Sequence, residues 1–197
     1  MRGVIESFGA WIIIGVVCMV NNCGCSGSFQ YAPYSSKVPG LRVSLEYISG
    51  WKVQETRGDR GSSAHVIFIE NSTGEEMQAF MSVTATPLGG ADTPAFDLQS
   101  AAEDIVKKRS QFKGFSVISR SAGTLAGSAT QELLLAYRGL NKLYRTDAEL
   151  IPIKERIVLC LKGGTLYSFI YQSSERRFDA FNKAFNHVFT TLVFKTE

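Results

Sequence analysis

The second half of this chain repeats one pattern that leaves the fold little freedom: short apolar or β-branched runs separated by turns. Residues 115–120 read as a strand, followed by a small-residue turn over 123–127. The stretches 129–137 (ATQELLLAY), 142–150, 155–161 and 166–171 read as four more strands, with turns marked by Gly139, Pro152 and the pair Gly163 and Gly164. A parallel connection needs about a dozen residues or more, so strands joined this closely are antiparallel.

The first half adds strands of the same kind. Residues 41–47 alternate Leu41, Val43, Leu45 and Tyr47 against Arg42, Ser44 and Glu46, which describes a strand with one wet face. Ser49 and Gly50 turn the chain, and Trp51 with Val53 opens a second short strand. The runs 64–70 (AHVIFIE) and 78–86 (QAFMSVTAT) flank Asn71, Ser72, Thr73 and Gly74, a hairpin arrangement. Two segments have helical spacing instead. Residues 95–112 place Phe96, Leu98, Ala101, Ala102, Ile105, Val106 and Phe112 on one side, with Asp92 or Thr93 as the cap. Lys107, Lys108 and Arg109 in the last turns complement the helix dipole. Residues 175–191 space Phe178, Phe181, Phe185, Val188 and Phe189 to close a core.

Strands, hairpin, helix, meander and helix together give an α+β class, an antiparallel sheet flanked by helices in an α/β/α sandwich. The segment 41–51 (LRVSLEYISGW) resembles the opening of PsbP-like domains, where a strand runs into a Tyr, a turn and a Gly-Trp pair. The closing stretch 164–194, a Gly-led aromatic strand, a Phe-spaced helix and a final Val-Phe, is similar to the end of the same family. The resemblance implies the fold shared by the photosystem II extrinsic proteins, the Mog nuclear-transport factors and the DcrB-type bacterial lipoproteins. That family has no single function, so the resemblance implies no activity.

The N-terminus bears on location. No Asp, Glu, Lys or Arg occurs between Ser7 and Ser36, but the strongly apolar part is only residues 8–20. As a helix these would span roughly 20 Å, short of a hydrocarbon core of about 30 Å. Arg2, the apolar centre and a small polar patch follow the order of an export signal. Cys23, Gly24, Cys25, Ser26 and Gly27 resemble a bacterial lipoprotein processing site, with Cys25 as the acylated residue and Cys23 as its alternative. A plain secretory signal and an uncleaved signal anchor are the competing readings. The expected organisation is a signal peptide over 1–25, a flexible linker over 26–39 and a PsbP-like domain over 40–197. The linker would hold the domain roughly 20 Å from the bilayer. Location is then exported and membrane-anchored, facing the periplasm or an equivalent compartment.

Chemistry is sparse. With 21 basic against 18 acidic residues and a net charge of +3, electrostatics predict no nucleic-acid partner. The two histidines, His65 and His187, lack an HExxH motif or cysteine pair, so no metal site is expected unless the fold unites them. Cys160 alternates with Leu159 and Leu161 and reads as a buried thiol rather than a nucleophile. Adjacent carboxylates such as Glu75 and Glu76, or Glu103 and Asp104, diverge on any regular element. No catalytic residue and no cofactor are expected. Arg138, Lys142, Tyr144 and Arg145 put basic groups beside an aromatic at one hairpin and form the candidate partner surface. The resulting expectation is a non-enzymatic accessory or binding subunit of a membrane complex, held by its lipid and contacting a protein partner. The alternative is a periplasmic carrier of a small ligand or metal ion.

Overall fold

The computed structural model describes residues 28–57, 63–71, 77–88, 96–141 and 148–195. Among the described residues ten strands and two helices follow in the order β1 (Tyr31–Ser35), β2 (Val43–Ile48), β3 (Lys52–Arg57), β4 (Ala64–Ile69), β5 (Phe80–Pro87), α1 (Leu98–Arg109), β6 (Ser116–Leu125), β7 (Ser128–Leu140), β8 (Leu150–Lys162), β9 (Thr165–Ser174), α2 (Glu175–Thr191) and β10 (Val193–Phe194). The large sheet has the order β3-β4-β5-β9-β8-β7-β6 and a small sheet has the order β1-β2-β10. Every pairing is antiparallel.

The middle of the large sheet is buried on both faces, and strand alternation divides its side chains. Val66 and Phe68 of β4, Val83 of β5, Cys160 of β8 and Tyr167, Phe169 and Tyr171 of β9 pack with Phe178, Phe185 and Val188 of α2 and with the small sheet. On the opposite face Leu133 and Leu135 of β7 and Ile157 and Leu159 of β8 pack against Ala102 of α1. The continuous buried run from Ile157 to Cys160 follows, because β8 is covered from both sides. Each fully buried Phe of α2 contributes about 1.5–3 kcal/mol, which fixes that helix where its spacing predicted.

Three local readings change. Tyr31–Ser35 is not linker but a strand on β2, from Tyr31 opposite Ile48 to Ser35 opposite Ser44. Pro33 is tolerated because β1 is an edge, while Phe29 stacks on Phe181 and Tyr31 on His187. Most of the strand expected over 142–150 lies outside the described residues, and Pro152 is not a turn: β8 begins at Leu150 and runs through it. Before Ile153 it pairs with β7 alone, so the missing N–H of Pro152 breaks no ladder. The cap of α1 is Asp97, whose carboxylate accepts from the backbone N–H groups of Gln99 and Ser100. Asp92 and Thr93 lie outside the described residues.

Candidate functional site

The candidate surface begins where the β7–β8 hairpin outruns the sheet. Strand β9 ends its pairing at Ser174 opposite Ile153, whereas β7 and β8 continue to Leu140 opposite Leu150. Both leucines are therefore exposed, 46% and 45%. Phe112, 43% exposed, stacks on Tyr137 with ring centroids 4.9 Å apart. Arg138 donates from Nη2 to the Leu150 carbonyl at 2.7 Å, and its backbone N–H donates to the Lys113 carbonyl at 2.8 Å. Of the four residues read as a partner surface, the structure places Arg138 here. Lys142, Tyr144 and Arg145 lie outside the described residues, as do Cys23 and Cys25. Sequence reasoning missed Phe112, Leu140 and Leu150 as surface. The available sign was a pair of leucines, Leu140 and Leu150, on either side of a stretch rich in charged residues.

A buried ion pair holds the base of this hairpin. Glu155 is fully buried and accepts from Nε and Nη2 of Arg109, both at 2.7 Å. Tyr137 donates its hydroxyl to Glu155 at 3.3 Å. Burial, then the nearby carboxylate, pushes the Tyr137 hydroxyl well above the ordinary tyrosine range. The hydrogen bond to Glu155 raises the Arg109 pKa further, and the two-pronged contact fixes the end of α1 to β8. Sequence reasoning assigned Arg109 to the helix dipole alone. The sign of its true role was Glu155 itself, which shares parity with the apolar Ile153, Ile157 and Leu159.

Beside the hairpin, β6 forms the outer edge of the large sheet. Nine of its ten residues are exposed. Its register shifts between Val117 and Ser119, and its one charge, Arg120, lies 3.9 Å from Glu103 of α1. A recess of about 250 Å³ opens along it, lined by Ser121, Thr124, Leu125, Thr130, Arg156 and Phe189 among others. Arg156 at its base is neutralised by Glu132 at 2.8 and 3.1 Å. It also donates to Asn182 and Asn186 of α2, at 2.9 and 2.6 Å, and lies over the Phe185 ring at 5.4 Å. That guanidinium works as a strut between helix and sheet. The opposite edge, β3, differs: Lys52, Glu55 and Arg57 punctuate it, and Glu55 accepts from the Tyr34 hydroxyl and the Lys37 backbone.

The other candidates are dispersed. His187 on α2 contacts Glu46 of β2 at 2.7 Å. His65 alternates with the buried Ala64 and Val66 and projects from the other face of the large sheet, so the fold does not unite the histidines. Among the described residues no group of three or more His, Cys, Asp or Glu side chains could hold a metal ion. Cys160 is buried on the α2 side, and burial pushes its thiol pKa up. Glu103 and Asp104 are exposed on α1, and Glu75 and Glu76 lie outside the described residues. Gly163 and Gly164 both take positive φ, +54° and +69°, which is what a two-residue turn between β8 and β9 requires. No helix among the described residues is long and apolar enough to cross a membrane.

No family model and no curated protein matches the sequence. Solved structures do match the fold. PsbP (CyanoP) from Synechocystis sp. PCC 6803 aligns over 89% of this chain and 99% of its own, with TM-score 0.58 and 17% identity. The Pseudomonas aeruginosa protein PA94, of unknown function, aligns over 85% and 99%, with TM-score 0.52 and 15% identity. The Saccharomyces cerevisiae Ran-binding protein Mog1p aligns over 85% and 96%, with TM-score 0.50 and 10% identity. The chain therefore has the PsbP-like, Mog-type fold.

Proposed function

We propose that this chain is an exported, lipid-tethered binding subunit without catalytic activity, and that a protein partner in the same membrane adds a strand to β6. The observation that carries the reading is the ten-residue edge itself, which is long, exposed and bears one charge, where protected edges are short or charged. Strand addition supplies affinity through main-chain hydrogen bonds, and side chains seated in an adjoining recess supply selectivity. The recess along Ser121 to Leu125 offers mixed walls, hydroxyls from Thr124 and Thr130 against the Phe189 ring, suited to small or aromatic uncharged side chains. The Ran-binding protein Mog1p gives a precedent for this fold in a binding protein. The tether rests on the export-type leader and on Cys25, with Cys23 as the alternative.

A photoreactive residue at Ala122 of β6, compared with one at Thr56 of β3, tests this in intact cells. The expected result is one discrete cross-linked species from position 122 and none from position 56. Equal labelling from both strands, or none from Ala122, sinks the strand-addition reading.

A further inference from the structure

The recess beside β6 exists because the strand carries so little side chain on one face. Ser121 and Gly123 pair with Glu132 and Thr130 of β7, and Glu132 meets Arg156, which donates to Asn182 of α2, so this parity is the α2 face of the large sheet. Ala122 between them shares the parity of Arg120, which lies beside Glu103 of α1 on the other face. Gly123 is not a turn glycine: it lies within a regular strand, outside the left-handed region. A Cβ there would meet only the Thr130 hydroxyl, at 3.2 Å, a contact that a few tenths of an ångström of movement relieves. What the missing side chain does is leave the surface open between the sheet edge and Phe189 of α2.

The size and walls of the recess select an occupant. At about 250 Å³ it is smaller than the roughly 300–1,000 Å³ of sites that take a whole small molecule, yet several times the roughly 30 Å³ share of one water. A single large side chain is the scale that fits. Arg156 lines the recess with its charge answered by Glu132, so the walls do not call for an anion. Phe189 meets Phe169 and Phe185 edge to face, with centroids 5.4 and 4.7 Å away, and its remaining side lines the recess. An aromatic ring placed there continues that run of rings and meets the Arg156 guanidinium, which lies 5.8 Å from the Phe189 centroid. Ser121 and Thr130 border it with hydroxyls, so tyrosine fits as well as phenylalanine.

Strand addition brings such a ring within reach. A strand paired with β6 lies about 4.8 Å outside it, and aromatic side chains span to diagonal neighbours across that spacing. An edge glycine is the position that a cross-strand ring covers. We infer that the strand added to β6 carries a tyrosine or phenylalanine facing Gly123, whose ring crosses the glycine into the recess and packs on Phe189 beside Arg156. This anchor presupposes the strand addition proposed above. Main-chain pairing supplies affinity common to any strand, and the ring supplies the choice among strands.

The test uses the full chain in intact cells with the photoreactive residue at Ala122, on the face away from the recess. Three backgrounds are compared. They are the parent, Gly123→Val, which fills the recess with a good strand former and keeps every main-chain hydrogen bond, and Ser119→Val, which adds bulk to the same face of β6 outside the recess. Mass spectrometry sequences the cross-linked segment of the partner. The expected result is a tyrosine or phenylalanine within about two residues of the cross-linked site. Yield should fall about tenfold or more in Gly123→Val and stay unchanged in Ser119→Val. A segment with neither residue there overturns the anchor while strand addition stands, and a second copy of β6 is such a segment, since its ten residues include no ring. A Gly123→Val yield equal to the parent, or equal losses in both variants, does the same. No cross-link from Ala122 in the parent sinks strand addition itself, and the anchor with it. If thermal melting shows that Gly123→Val does not fold, the sequenced segment decides alone.

Discussion

Glu155 is the only fully buried charged side chain among the described residues, and it is held by both arms of Arg109. Removing the cation strands the carboxylate in a low-dielectric site, whereas removing both partners leaves apolar side chains in their place. Arg109→Met should therefore cost about 3 kcal/mol in urea unfolding, and adding Glu155→Leu should recover most of it. Tyr137 and Tyr171 set a second limit. Burial is the first cause that raises both hydroxyls above the ordinary value of 10.0, and Tyr171 also donates to the Phe178 carbonyl at 2.8 Å. The folded chain then retains protons that the unfolded chain releases, so this stabilisation is complete below about pH 10 and falls as pH rises further. Thermal melts from pH 8 to pH 11 should show a steep alkaline loss, made shallower by Tyr171→Phe at the cost of a lower melting point at pH 8. Single residues were unevenly legible in the sequence. Cys160 could be placed by alternation, because apolar neighbours on both parities imply a strand covered twice. Glu155 shares the inward parity of Ile157 and Leu159, but the cation that makes a buried carboxylate tenable there lies 46 residues away in the chain, so parity alone did not reveal the pair.

Regular elements follow from periodicity wherever packing and local preference agree. Helix α2 matches its reading because Phe178, Phe181, Phe185 and Val188 all face the core. Phe185 touches Tyr171, Phe189 and the Arg156 guanidinium, so Phe185→Ala should cost about 3–5 kcal/mol in denaturant unfolding. Lys183→Ala, on the exposed side of the same helix, should stay within about 0.5 kcal/mol. Agreement fails where an element takes its stability from a distant partner. Strand β1 has the Ser, Tyr and Pro composition of a linker, and only pairing with β2 and the rings of Phe68, Phe181 and His187 makes it a strand. Gly139 and Pro152 read as turns, yet they sit within a long hairpin. A Cβ at Gly139 would meet the Ile153 Cδ1 atom at 2.5 Å, so a larger residue there requires that side chain to shift, and Pro152 is tolerated because no strand adjoins its free side.

At the scale of the molecule, α+β class and antiparallel order were legible because turn lengths dictate them, and the solved structures bear out the PsbP-like resemblance at the level of fold. The candidate surface was legible in part. Arg138 drew attention by charge, while the exposure of Leu140 and Leu150 depends on where β9 stops, and pairing length is not written in the apolar pattern. The proposed role joins two features that lie apart in the chain, an N-terminal cysteine and an edge strand. Intact mass spectrometry of the protein extracted from membranes tests that union most directly. The account predicts a mature chain that begins at Cys25, or at Cys23 in the alternative, and carries the added mass of its acyl groups. A chain that retains Met1, or one that starts beyond Cys25 without lipid, would contradict it.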